Sequence, residues 1–410
     1  MSSPVAVLMS RFPTVTETFI LREMIEMERQ GQPVRVVPMI RETPRVIHDA
    51  AKPWTGRALY TPWFSGRVGA ANLRALVRRP LRYLWLLARL IAGTITNPKF
   101  FLRTMAIFPK SVLLADELPR EGVRHIHAHY ATHPSTMALI IAALSDITFS
   151  FTVHAHDIQV EHNLLRWKLR ETRFVRSISD FNRRFLEQKY PREAKGKIVV
   201  IHVGIEPEAY EANARRLQAA TDGPPRILCV AAHKPYKGLP VLIEACRILR
   251  DEGIAVRCDI VGDGPMRDEL ETLIREKGVE EIVTLAGPRP QEEVAKMMAE
   301  ARLFALPSIV APDGQMEGIP VALMEAMASG RAVVTTKLSG IPELVQDGVS
   351  GRLVEPGDAA AFAAAVKELL DNPRRATEMG VRGQAKVRAE FVLPECVRQL
   401  IARLDGENRT

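Results

Sequence analysis

The sequence predicts an α/β protein built from two doubly wound parallel-sheet domains. A length of 410 residues with 47% hydrophobic content exceeds what one core fills, so two compact domains are expected. Short apolar runs alternate with segments of helical period, the pattern of a parallel sheet covered by helices. A polar, Gly- and Pro-containing stretch at 206–226 interrupts that alternation once, and a second series starts after it.

In order, Val5 to Ser10 reads as a buried strand, Thr18 to Arg29 as a helix stopped by Gly31, and Val34 to Pro38 as the next strand. Further strands are expected at Ile126 to Ala128, Phe149 to Val153, Phe174 to Ser177 and Ile198 to His202, with helices at Ser135 to Leu144 and Asp180 to Gln188. Beyond the interruption, strands are expected at Ile227 to Val230, Arg257 to Val261, Val283 to Ala286, Leu303 to Leu306 and Ala332 to Thr335. The predicted domains are 1–205 and 227–385, with 206–226 as linker and 386–410 as a terminal helix packing back toward the first domain. Ligands of such sheets bind at the carboxyl ends of the strands, so two sheets facing across a cleft would place a site there.

Composition narrows the setting. A mean hydropathy of −0.03 and a charged fraction of 25% fit a globular chain rather than a disordered one. No basic-then-apolar leader opens the chain, and no apolar run approaches the roughly 20 residues of a spanning helix. Four cysteines, Cys229, Cys246, Cys258 and Cys396, lie in apolar segments without metal-type pairing, as reduced thiols do. A cytoplasmic location is expected.

The net charge of +8 favours an anionic partner, and its distribution is uneven. From Arg67 to Arg103 arginines interleave with Leu, Trp and Tyr, and no Asp or Glu occurs. Such a stretch suits a helical hairpin lying on anionic lipid, with Tyr83, Trp85, Phe100 and Phe101 dipping inward. It equally suits a core-packed insertion with solvated arginines. Nucleic acid is not expected, because no recognised binding motif accompanies the charge.

The segment Met316-Glu-Gly-Ile-Pro-Val-Ala-Leu-Met-Glu-Ala-Met-Ala-Ser-Gly330 carries the clearest chemistry. It follows a buried strand, and the turn Gly318, Ile319 and Pro320, followed by Val321, opens a helix with Pro320 in a first-turn position and Gly330 as its terminator. A helix start offers unpaired N–H groups and partial positive charge, a cradle for a diphosphate. Glu317 and Glu325 flank it and can accept hydrogen bonds from sugar and ribose hydroxyls. Taken alone, the motif is short enough to be an ordinary amphipathic helix behind a surface glutamate.

The surrounding residues extend it. Glu317 and Glu325 form a Glu-x7-Glu pattern, preceded by Cys229-Val-Ala-Ala-His-Lys-Pro-Tyr-Lys-Gly-Leu239 and Val261-Gly-Asp-Gly-Pro265 and followed by Ser339-Gly-Ile-Pro-Glu343. This order resembles the retaining glycosyltransferases of family GT4, whose fold is GT-B. More loosely, Ser10-Arg-Phe-Pro-Thr-Val-Thr-Glu-Thr-Phe-Ile20, His127-Ala-His-Tyr130, Phe151-Thr-Val-His-Ala-His-Asp157 and Ser177-Ile-Ser-Asp-Phe-Asn-Arg183 resemble its colanic-acid and exopolysaccharide branch.

That resemblance implies transfer of a hexose from a nucleotide-diphosphate sugar to a glycan or polyprenyl-linked saccharide, with retention by front-face substitution. UDP-hexose is the favoured donor and GDP-mannose the second. Glu317 would contact the transferred sugar, Glu325 the ribose, and Lys237 the diphosphate, with Gly262 in the neighbouring turn. His154 would line the reaction centre with Asp157 near it. No cofactor is implied and no metal, since no Asp-x-Asp element is present.

Two departures stand out. The family's usual arginine before the lysine aligns with Ala232, and Lys234 either supplies the missing charge or is a solvated loop residue. The glycine pair after the first strand is replaced by Ser10-Arg11-Phe12-Pro13. Glu17 and Thr18 at the start of the next helix either meet the acceptor or simply cap it.

The histidines invite rival readings. His125, His127 and His129 alternate, as do His154 and His156, which suggests either a zinc-dependent hydrolase or buried strand histidines. A nucleotide-sugar epimerase of the same fold and a non-catalytic membrane adaptor also compete with the transferase.

Overall fold

The computed structural model describes residues 3–14, 18–43, 49–160, 162–216 and 223–406. The chain divides into two compact units, one formed by residues up to Ile201 together with those from Cys396, the other by His202–Glu395.

The first unit holds a six-stranded sheet of β1 (Val5–Phe12), β2 (Val34–Arg41), β3 (His125–His129), β4 (Thr148–Val153), β5 (Val175–Ser177) and β6 (Ile198–Val200). Their order is β2-β1-β3-β4-β5-β6, and every pair is parallel. The second holds β7 (Arg226–Val230), β8 (Arg257–Val261), β9 (Val283–Gly287), β10 (Leu303–Leu306), β11 (Ala332–Thr336) and β12 (Arg352–Val354), ordered β12-β11-β10-β7-β8-β9 and again all parallel. Strands buried on both faces read as continuous apolar runs, as Leu303–Leu306 and Ile227–Cys229 do.

Strand order reverses between β1 and β3 in the first sheet and between β7 and β10 in the second. At such a switch the loops leaving neighbouring strands splay apart and open a crevice at the carboxyl edge. In the second unit those loops carry Lys237 and Glu317.

The helices that bear on function are α1 (Thr18–Arg29), α2 (Gly66–Arg78), α3 (Pro80–Thr94), α4 (Pro98–Glu117), α5 (His133–Leu144), α6 (Pro207–Arg216), α7 (Val321–Ala328) and α8 (Leu393–Asp405). The basic stretch is three successive helices rather than a two-helix hairpin. Pro80 and Pro98 each enter at a first-turn position, where the missing N–H costs nothing.

The expected linker 206–226 is corrected in its first half. Pro207–Arg216 is α6, because Pro207 sits at its start and Tyr210, only 2% exposed, joins Ile205 in the second unit's core. The expected terminal segment 386–410 is also redrawn. Residues up to Glu395 stay in the second unit, and from Cys396 onward the chain groups with the first, where Arg173 Nη1 donates to the Leu404 carbonyl at 2.8 Å. The short strand β12 has no counterpart in the sequence reading, since its apolar run is only Leu353 and Val354, set between Arg352 and Glu355.

Candidate functional site

In the second unit, loops from three adjacent strands are knitted together by glycines. Gly238 has φ +66°, and a Cβ there would meet the Pro307 carbonyl oxygen at 2.0 Å. Gly262 at φ +139° would meet the Ala231 oxygen at the same distance, and Gly264 at φ +157° the His233 oxygen at 2.7 Å. Any side chain would therefore push apart the loops after β7, β8 and β10. Backbone bonds close the same seam, from Ile309 N to Tyr236 O at 2.9 Å and from His233 N to Asp263 O at 2.9 Å. Gly262 thus acts by permitting close backbone approach.

These loops bring Lys237 against Glu317, with the Lys237 ammonium donating to Oε2 of Glu317. The side chains are 13% and 14% exposed, so the pair sits at the rim of the core. Burial opposes the charge on Lys237, but Glu317 and Tyr236 outweigh it and hold the ammonium pKa above its ordinary value. Lys234, by contrast, is exposed and caps the short turn Pro235–Lys237 with its backbone, three residues from the pair. Ala232 follows β7 in the same loop.

α7 starts beside this pair. Pro320 is its N-cap rather than its first residue, and Val321 opens the helix. The first N–H groups of an α-helix have no intrahelical acceptor, so the turn Gly318, Ile319, Pro320 leads into a site for negative charge. Gly330 at φ +67° closes the helix, its N–H reaching Met327 O at 2.9 Å. One turn in, Glu325 accepts from the Tyr210 hydroxyl at 2.5 Å, and that hydroxyl accepts from Gln291 Nε2 at 2.9 Å.

In the first unit, His154 follows β4. Its ring lies 4.6 Å from that of Tyr130, 5.2 Å from Phe19 and 5.7 Å from His129, centroid to centroid. Its Nε2 is buried and has no partner among the described residues. Burial, then His129 and Arg176, push His154 well below the ordinary imidazole range, so the ring is neutral at pH 7. Asp157 holds this corner in place. Its Oδ1 accepts from His154 N and Ala155 N at 2.9 Å, and its Oδ2 from Ala131 N at 2.7 Å. Burial raises the Asp157 pKa while those amides oppose the rise. Both oxygens are committed to backbone, which makes Asp157 a support for His154. Thr18 is the first residue of α1, and Glu17 lies outside the described residues.

Beneath His154 lies a charged cluster that sequence reading missed. Arg176 on β5 donates to Oε2 of Glu23 on α1, and His129 Nε2 is 3.4 Å from Oε1. Burial opposes the Glu23 carboxylate, yet Arg176 and then His129 hold its pKa well below the usual range. No local spacing signals this cluster, because its members come from three elements.

Glu23, His127 and His129 can bring one ligand atom each within 4.8 Å of one another. The donor set does not suit zinc. Both nitrogens of His127 are engaged, at 2.8 Å, by the hydroxyls of Ser150 and Thr152, and Glu23 already carries the Arg176 guanidinium. His125 is held the same way by Thr148 and Ser150 at 2.7 Å. The alternation of these histidines is that of a strand whose neighbour supplies hydroxyls.

Solved structures share the architecture throughout. A glycosyltransferase of Rickettsia africae gives a TM-score of 0.72 at 15% identity, over 98% of this chain and 97% of that one. Anabaena Alr3699/HepE in complex with UDP gives 0.69 at 16% identity, over 99% and 100%. At such identities the likeness establishes the fold, which is the two-domain GT-B fold. Within it, residues 211–386 match the family model for glycosyl transferases group 1, and the second unit carries a domain of that family.

Curated relatives agree on the family. The amylovoran biosynthesis glycosyltransferase AmsK of Erwinia amylovora is 44% identical over 209 residues, 51% of each chain. The putative colanic acid biosynthesis glycosyltransferase WcaL of Salmonella typhimurium is 42% identical over 209 residues, again 51% of each. The chain spans about half the length of the curated relatives it matches.

Proposed function

We propose that this protein is a retaining hexosyltransferase that moves a sugar from a nucleotide-diphosphate donor to a glycan or polyprenyl-linked saccharide acceptor in cell-surface or exopolysaccharide synthesis. The observation that carries this reading is the Lys237–Glu317 pair at the strand-order switch, beside the start of α7. In the proposed reaction the diphosphate lies at that helix start and Lys237 neutralises the charge that grows on the leaving oxygen. The bond from the anomeric carbon to the diphosphate breaks as the acceptor oxygen bonds on the same face, and the acceptor's proton passes to the departing phosphate.

The other residues would bind and orient. Glu317 would accept from a donor sugar hydroxyl, and Glu325, aimed by Tyr210, from the ribose diol. His154, neutral, would donate to a sugar hydroxyl from Nε2, with Asp157 fixing its backbone. Thr18 and Glu17 would meet the acceptor, Gly262 would keep the adjoining turn tight, and Lys234 would add charge in place of the arginine that Ala232 lacks. No cofactor and no metal enter this scheme. UDP is the favoured nucleotide, as in the HepE structure, with GDP second. The acceptor would be met at the cytoplasmic face of a membrane; no helix of the described residues is long and apolar enough to cross one.

The test is a donor screen by calorimetry followed by product analysis. UDP or GDP binding in the micromolar range, and acceptor-dependent transfer with retained configuration, are expected. Isomerised donor without transfer would favour the epimerase, and absence of any nucleotide binding would remove the proposal.

A further inference from the structure

Two surface features meet at the corner between α2 and α3. The first is apolar. Core packing uses Val68 and Ala71 of α2 and Leu86, Leu90 and Thr94 of α3. It leaves Leu73, Leu76 and Val77 exposed on α2, and Leu81, Leu84 and Trp85 exposed on α3, with Val77 at 71% and Leu81 at 84%. Each triad repeats at i, i+3, i+4, so each forms one stripe along its helix. Trp85 leans edge-on against the buried Trp167 at 5.8 Å and carries Arg89 over its ring, but the other five side chains are exposed and outside the core cluster, and exposed apolar stripes of this kind mark an interaction site.

The second feature is a cavity of about 330 Å³ where α2 and α4 meet the end of α5. Arg74, Arg78, Arg79, Arg120 and Arg124 line it, against only Asp116 and Asp146. Asp116 is taken by Arg74 at 2.8 Å and by Arg120 at 2.6 Å. Arg78, Arg79 and Arg124 have no carboxylate partner among the described residues, although Arg79 Nη1 reaches the Leu144 carbonyl at 3.5 Å. Three uncompensated guanidinium groups around one cavity suit a phosphate, which each can grip through paired N–H groups. Val77 and Leu81 flank Arg78 and Arg79 in sequence, so the stripes and the cavity share one corner.

We propose that this corner docks on an anionic phospholipid bilayer, the two stripes entering the acyl boundary while the arginine cavity receives a lipid phosphate. This deepens the membrane part of the proposed function and rests on it. Charge complementarity selects lipid: not one acidic residue lies between Arg67 and Arg103, and leucines that a nucleic acid backbone would not use stand beside the arginines. The contact is interfacial, with the helices lying in the plane of the surface.

The experiment is co-sedimentation of the full chain with vesicles of phosphatidylcholine alone or mixed with phosphatidylglycerol, alongside calorimetry with UDP. Binding only to the anionic vesicles, weakened by salt, is expected. The double variant Arg78→Glu/Arg79→Glu should lose about thirtyfold or more in vesicle partition. Leu81→Ser/Leu84→Ser should lose about tenfold on the same vesicles, since apolar burial is the other half of the contact. All four positions are exposed, so both variants should keep their UDP affinity and melting temperature. Equal binding to neutral vesicles, indifference to either variant, or no vesicle binding at all would overturn the docking and favour a protein partner. UDP binding retained alongside any of these outcomes leaves the transferase reading standing. Vesicle binding without nucleotide binding would sink the transferase reading and keep the lipid site.

Discussion

The Tyr210 hydroxyl donates to Oε1 of Glu325 at 2.5 Å while accepting from Gln291 at 2.9 Å. A carboxylate expected to hold a ribose is thereby aimed by a residue 115 positions earlier in the chain. Tyr210→Phe keeps the ring in the core and removes only the hydroxyl. Donor KM should rise about tenfold with kcat within about twofold, the loss of one hydrogen bond to a charged group. Steady-state kinetics against donor check this, and an unchanged KM would detach Tyr210 from nucleotide binding.

Lys237 is the cation nearest the start of α7 in the proposed scheme. Lys237→Ala should lower kcat by about 10² to 10³, the usual cost of removing one group that stabilises developing negative charge. Lys234→Ala, an exposed neighbour, should fall well short of that. Turnover of both variants under donor saturation separates them, and equal losses would mean the diphosphate spans the whole loop.

Asp157 accepts three backbone N–H groups in a buried corner. Asp157→Ala strands those donors and should cost about 2–4 kcal/mol of stability, read as a lower urea midpoint at unchanged slope. Asp157→Asn keeps one acceptor oxygen and should cost less. A stability loss near zero for the alanine variant would show that water replaces the carboxylate.

The first unit should be acid-sensitive. Burial pushes His125 from 6.5 down to about 3, so it stays neutral in the fold while the unfolded chain takes up a proton below about pH 6.5. The unfolded state then binds more protons, so stability rises with pH across that window. His125 therefore contributes full stability above about pH 6.5, lost progressively as the pH falls toward about 3. His127 shifts in the same direction, again chiefly through burial. Urea midpoints between pH 7 and pH 4 should fall steadily, and His125→Gln should flatten the decline. A flat profile in the unsubstituted protein would contradict it.

Much of the fold was legible because its signals are local. The helix Thr18–Arg29 and the strands Arg257–Val261 and Leu303–Leu306 coincide with the sequence reading residue for residue. Apolar runs buried on both faces, ended by glycine or capped by polar residues, carry their own boundaries. α6 was hidden because Pro-Glu-Ala-Tyr-Glu-Ala-Asn-Ala has the composition of a linker, and only the burial of Tyr210 makes it a helix against a core.

By itself, then, the sequence determined two parallel sheets, the Gly-Ile-Pro turn that leads into α7 and the spacing of the two glutamates, because each depends on residues close in the chain. Tertiary structure alone decided that Lys237 pairs with Glu317, that Tyr210 aims Glu325, that Asp157 supports His154 from below, and that Glu23, Arg176 and His129 share one buried cluster. Those relations join residues brought together by parallel crossovers. Spacing along the chain carries no trace of them, since a crossover sets its neighbours by strand order and register.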